Sequence, residues 1–269
     1  MKRMIALIAV VVAALAMLSS GAPAGAQSAA RIHLIHGIPD TPVDVAAGGE
    51  NVFTDFNFGD TQDLSALAGQ TLTGLQVKAA GTDTVAIDAG DVALPAEGNV
   101  SIIAHLDAAG TPTLTVFTND TSAVPAGQGR LVVRHTAAAP AVDVRANGAV
   151  AFANLSNPNE ATADLPAGTI SADVVPTGAT EPVVIGPADL PITEGQTLIV
   201  YAVGSLDAGT LQTLTETIGG SSSAPSAVDT GNSPVSGGPS TPPAEWALAG
   251  VAGAAAVTVA GRRVRATRR

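Results

Sequence analysis

Residues 31–45 read RIHLIHGIPDTPVDV, and residues 130–144 read RLVVRHTAAAPAVDV. Arg, His and Val-Asp-Val return at the same spacing. Within each stretch the apolar residues alternate before the His. Ile32, Leu34 and His36 share one face of an extended strand, as do Leu131, Val133 and His135. Both His residues are therefore expected at a strand's end on its apolar side. Asp44 and Asp143 stand between inward-facing valines, which turns their carboxylates the other way, to brace a turn or face solvent. This reading makes the four residues repeat-equivalent structural positions rather than catalytic pairs.

The repeat extends further. LAGQT (67–71) answers PAGTI (166–170), and KAAGTDT (78–84) answers VPTGATE (175–181). ALPAEG (93–98) answers DLPITEG (189–195), and HLDAAGT (105–111) answers SLDAGT (205–210). A conserved order at nearly constant offset points to duplication, with units at 30–124 and 125–220. Each unit reads as all-β. Runs such as TLTGLQV (71–77), NVSIIAHL (99–106), ISADVV (170–175) and TLIVYAV (197–203) are rich in β-branched residues and bounded by turn chemistry. About seven strands in about 95 residues fit an immunoglobulin-like β-sandwich. The fold class expected is all-β, with two tandem immunoglobulin-like sandwiches. The junction AVPAGQGR (123–130) is short, which predicts packing end to end.

The two ends carry signals of a different kind. MKR, an apolar run over 4–18 and Ala24-Gly25-Ala26 form a signal peptide over 1–26, with cleavage before Gln27. Residues 221–244 are a Ser/Gly/Pro stalk that cannot bury a core. Residues 245–261 are uncharged after Glu245 and form a transmembrane-like helix, marginal in length for a bilayer. The tail over 262–269 holds five Arg and is expected inside the cell. The order of domain, stalk, apolar segment and basic tail resembles surface proteins of Gram-positive bacteria. Ala227-Val228-Asp229-Thr230-Gly231 keeps only the Thr-Gly of a sortase signal, so Thr230 and Gly231 are a degenerate sorting motif.

Composition narrows the chemistry. With the signal peptide and the basic tail set aside, five basic residues face all 23 acidic ones, so a nucleic-acid partner is disfavoured. Cys is absent, which removes disulfides, thiolate metal sites and thiol nucleophiles. No G-x-S-x-G, H-E-x-x-H, P-loop or EF-hand loop occurs. Loop carboxylates at Asp55, Asp60 and Asp63, or at Asp88 and Asp91, are of the type Ca²⁺ prefers, but match no defined loop. No metal or cofactor is expected. Phe53 and Phe152 are equivalent and expected in cores. DFNF at 55–58 has no counterpart and is the one candidate for an exposed apolar contact. His33 aligns with Val132 and His105 with Ser205, so neither His is shared.

The ordered set of a His, a Pro beside Val-Asp-Val, L-P-A-G-T, a V-x-x-x-G-T hairpin and V-x-A-V-G-x-L resembles the bacterial domain of unknown function 4397. The likeness covers both units, the second more fully, because LAGQT lacks the Pro. It implies exported surface proteins, often in tandem, and no known reaction. The expected function is a non-enzymatic cell-surface protein serving adhesion, envelope structure or display. Its membrane contact is the C-terminal segment. Its partner is an extracellular protein or cell-wall polymer. One alternative is a binding or sensing module for a small molecule, cation or wall polymer, and another is a hydrolase using His36 or His135.

Overall fold

The computed structural model describes residues 30–219. The signal peptide, stalk, transmembrane-like segment, basic tail and the Thr230-Gly231 pair lie outside the described residues. The described chain is all-β, with one 3-10 turn at Ser65–Leu67.

The first half holds β1 (Arg31–His36), β2 (Val43–Ala47), β3 (Glu50–Phe56), β4 (Thr61–Asp63), β5 (Thr71–Ala79), β6 (Val85–Ala93), β7 (Asn99–Leu106) and β8 (Pro112–Thr118). The second holds β9 (Gln128–His135), β10 (Val142–Ala146), β11 (Ala149–Leu155), β12 (Glu160–Pro166), β13 (Gly168–Pro176), β14 (Ile185–Ile192), β15 (Gln196–Val203) and β16 (Gln212–Gly219). Pairing runs β4-β1-β7-β8 and β3-β2-β5-β6 in the first half, β12-β9-β15-β16 and β11-β10-β13-β14 in the second. Raising each label by eight turns one half into the other. The central pairs β1/β7 and β9/β15 are parallel, and every other pair is antiparallel. Each half thus has eight strands rather than about seven.

Local chemistry accounts for the tight hairpins. β10 and β11 join at Asn147-Gly148, with φ of 50° and 81°. Asn and Gly are the residues that tolerate two successive positive φ values, which a type I′ turn requires. β2 and β3 join at Gly48-Gly49 for the same reason.

Each half closes over its own core. Ile32, Leu34, Val43, Val77, Val100 and Ile102 fill the first, and Leu131, Val133, Val142, Val174, Leu198 and Val200 the second. The sheets containing β1 and β9 are apolar on their other face too. Ile35, Ile103 and Phe117 of the first half meet Val132, Ile199, Tyr201, Val203 and Ile218 of the second in a third buried cluster. The two halves therefore pack face to face, not end to end. β7, β9 and β15 are buried at seven of their eight positions. Each fully buried aliphatic there contributes roughly 2 kcal/mol.

Candidate functional site

His36 and His135 end β1 and β9, and both are fully buried. The His36 Nε2–H donates to the Thr41 carbonyl at 2.6 Å, and the His135 Nε2–H to the Pro140 carbonyl at 3.0 Å. Each His thus ties the loop that follows its own strand. His36 also stacks on Phe56, with ring centroids 5.8 Å apart. Its Nδ1 has no hydrogen-bond partner, whereas the His135 Nδ1 accepts the Ala137 amide at 3.4 Å. Burial pushes both imidazoles below the usual His range, so both rings are neutral at pH 7.

Asp44 and Asp143 are buried as well. Asp44 accepts the amides of Asp55 and Gly81, each at 3.0 Å. Asp143 accepts the amides of Asn154 at 2.8 Å and Gly178 at 2.9 Å. Asp55 and Asn154 both have positive φ, at 54° and 53°. Each carboxylate therefore pins an irregular point of a neighbouring strand to a hairpin turn on the other side. The two amide bonds hold the Asp143 carboxyl below the usual range. Within each half, His and Asp serve separate loops.

A larger polar cluster lies where the halves meet. Arg134, 1% exposed, donates to Tyr201 Oη at 2.7 Å, Asn119 Oδ1 at 2.6 Å and Glu160 Oε2 at 2.8 Å. Its guanidinium lies 4.3 Å from the Phe117 ring centroid. The Tyr201 hydroxyl donates to Glu216 Oε2, which also accepts from Ser101 of the first half at 2.7 Å. His33 Nδ1 donates to the other Glu216 oxygen at 2.7 Å. Asn119 donates onward to Asn99 and Ser101. Burial raises the Tyr201 phenol well above its usual pKa, so it stays a donor. Arg130 extends the contact by binding Asp164 and, at 2.7 Å, Asp120 of the junction.

This cluster is the feature that the sequence reading missed. The strand registers show where its signal was. Ile35 pairs with Ile103, and the equivalent Arg134 pairs with Tyr201. His33 pairs with Ser101, and the equivalent Val132 pairs with Ile199. The same face of the duplicated strands is thus aliphatic at one register position in one half and polar in the other. The registers also correct one alignment: His105 corresponds to Val203, not to Ser205. His105 is buried, donates from Nδ1 to the Leu106 carbonyl and accepts the Thr115 hydroxyl, both at 2.8 Å.

The remaining candidates disperse. Asp60 accepts the Asn57 amide, Asp63 the Ser65 amide, Asp88 the Gly90 amide and Asp91 the Gly74 amide. Among the described residues, no three His, Asp or Glu side chains gather as a metal site would. DFNF is not an exposed contact: Phe56 is buried in the first core, and Phe58 packs on the cluster between the halves. Phe53 and Phe152 are half-buried against the two cores. Among the described residues, no helix is long and apolar enough to cross a membrane.

A duplicated β-sandwich with its polar side chains committed to loops and to the contact between halves defines a structural class: an all-β module of repeated topology. Residues 30–145 match the model of the Domain of unknown function (DUF4397). The match takes in the first half, β9 and all but the last residue of β10, whereas the motif reading favoured the second half. No curated protein matches the chain.

Proposed function

We propose that this is a non-enzymatic bacterial surface protein. Its two immunoglobulin-like sandwiches, the second a further copy of the same family domain, form one rigid block exported by the 1–26 signal. The 221–244 stalk holds the block off the membrane in which residues 245–261 are embedded. Its role is adhesion, envelope structure or display toward an extracellular protein or wall polymer. The observation that carries this reading is the buried junction: Arg134, Tyr201 and Glu216 engage Asn119, Ser101 and His33 across a shared apolar core. A hinge between the halves would tear that network, so force or geometry passes through the block undivided. Both His rings bind backbone carbonyls rather than a nucleophilic hydroxyl, which favours structure over hydrolysis.

Fractionation of the native envelope, with and without sortase, tests the reading. Recovery with the membrane supports tethering by the apolar tail. Sortase-dependent recovery with the wall assigns the anchor to Thr230-Gly231. Recovery from the cytosol alone would overturn the proposal. The binding alternative gains a specific observation in an apolar pocket of the second half.

A further inference from the structure

The two halves share a topology, but they do not fill it equally. In the first half Ile38 follows His36 by two residues and is buried in the core. The equivalent residue after His135 is Ala137. Asp40 and Thr41 correspond likewise to Ala139 and Pro140. At this end of the second half a cavity of about 130 Å³ opens between the sheets, lined by His135, Ala137, Ala139, Val142, Val174 and Ala202 among others. All six are buried and form its floor. Its rim includes Pro140, Val184, Leu206 and Leu211, with Leu206 39% exposed.

The rim is fixed before any ligand arrives. The Ala138 amide donates to the Gly204 carbonyl at 2.8 Å, and the Leu206 amide to the Ala138 carbonyl at 3.0 Å. Gly204, at φ 91°, sits where a side chain would collide with the Thr210 carbonyl oxygen. The loops β9–β10 and β15–β16 are thereby stitched together beside the opening. Both His135 nitrogens are already engaged, so no titratable group offers the pocket a free polar handle. A cavity of this size and apolar lining has room for a ligand about the size of benzene.

We propose that the second half is a binding site for a neutral apolar group, a single six-membered ring or a short alkyl end, seated against Ala137 and Val174. The site goes beyond the surface-spacer reading, which needs no cavity, and its failure would leave that reading intact.

Benzene is the probe, titrated into the full chain by calorimetry and followed by methyl NMR. The expected result is saturable binding of one benzene per chain, with shifts confined to the methyls of Val142, Val174, Val184, Ile185, Leu206 and Leu211. Ala137→Ile introduces the residue found at the equivalent place in the first half. It should lower benzene affinity at least about tenfold, a difference of about 1.4 kcal/mol. Ile38→Ala should open the matching space in the first half and add a second bound benzene. The absence of saturable binding to the native chain, or shifts centred on other methyls, would overturn the proposal. So would unchanged affinity in a folded Ala137→Ile chain. If that variant does not fold, the NMR map on the native chain decides alone.

Discussion

Arg134 of the second half reaches the Asn119 side chain of the first at 2.6 Å, inside a contact almost closed to water. The register-equivalent residue in the first half is Ile35, which lies in the same apolar cluster. One face of the duplicated strand thus carries a charge in one copy and an aliphatic in the other. The charge is tolerated because all three guanidinium nitrogens find acceptors and Phe117 covers its plane.

Arg134→Met should lower unfolding stability by about 3 kcal/mol, because the buried Tyr201 and Asn119 lose a common donor in a desolvated place. Arg134→Lys should recover little, since an ammonium cannot span three acceptors held by a planar fork. Urea denaturation of both variants checks the pair. Equal stability of Arg134→Lys and the native chain would contradict the geometry.

Ile199→Glu places a carboxylate in the middle of the cluster between the halves, at a residue with no solvent exposure. Each half keeps its own core, so the expected outcome is two unfolding transitions in the variant against one in the native chain. Small-angle scattering should show a longer particle. A single transition with unchanged dimensions would show that the shared cluster does not weld the halves.

Stability should depend on pH through His36, His105 and His135. All three pKa values are lowered, chiefly by burial. Between the folded values and about 6.5, the unfolded chain binds more protons than the folded one, so stability rises with pH. The contribution is complete above about pH 6.5 and is lost as pH falls toward the lowered values. Three such groups give a slope of up to about 4 kcal/mol per pH unit. Urea midpoints between pH 7.5 and 5 measure it, and His105→Gln should flatten the curve by about one proton. A flat profile would mean that the rings are not held neutral.

Asp143 acts lower on the scale. Its carboxyl is held down by the Asn154 and Gly178 amides, so its stabilisation is present above the unfolded Asp value and fades as pH falls through the depressed one. Asp143→Asn should weaken the acid limb below about pH 4 and leave the His-dependent limb unchanged. NMR titration of the Asp143 carboxyl gives the direct reading. An ordinary Asp midpoint would remove the brace. Asp44→Asn should cost about 2 kcal/mol, the order expected of hydrogen bonds to a charged group.

Much of the fold was legible in short patterns. The recurrence of Arg, His and Val-Asp-Val foretold a topology that repeats strand for strand, because the positions that set it are short-range: alternation, a loop tied to a His, turns built on Gly and Asn. The short junction misled, since linker length limits reach and not the face that two sheets present. The better signal lay in NVSIIAHL and TLIVYAV. These runs are apolar without alternation, as strands covered on both faces are. The Arg134 cluster was harder to read, because its members come from β1, β7, β8, β9, β12, β15 and β16 and share no local spacing. Two exchanges between the equivalent strands marked it: Ile35 for Arg134 and His33 for Val132.

The parallel pairing of β1 with β7 governs the order in which the chain can assemble. Arg31 finds Asn99, and Thr197 joins Arg130 only near the end of the second half. A chain emerging N-terminus first therefore presents β1 long before its central neighbour exists. β9 in turn waits for β15, with apolar residues on both of its faces. Assembly is governed by distant partners and is slow by nature. The segments most in need of shielding in the meantime are the same strands that later form the centre of the block.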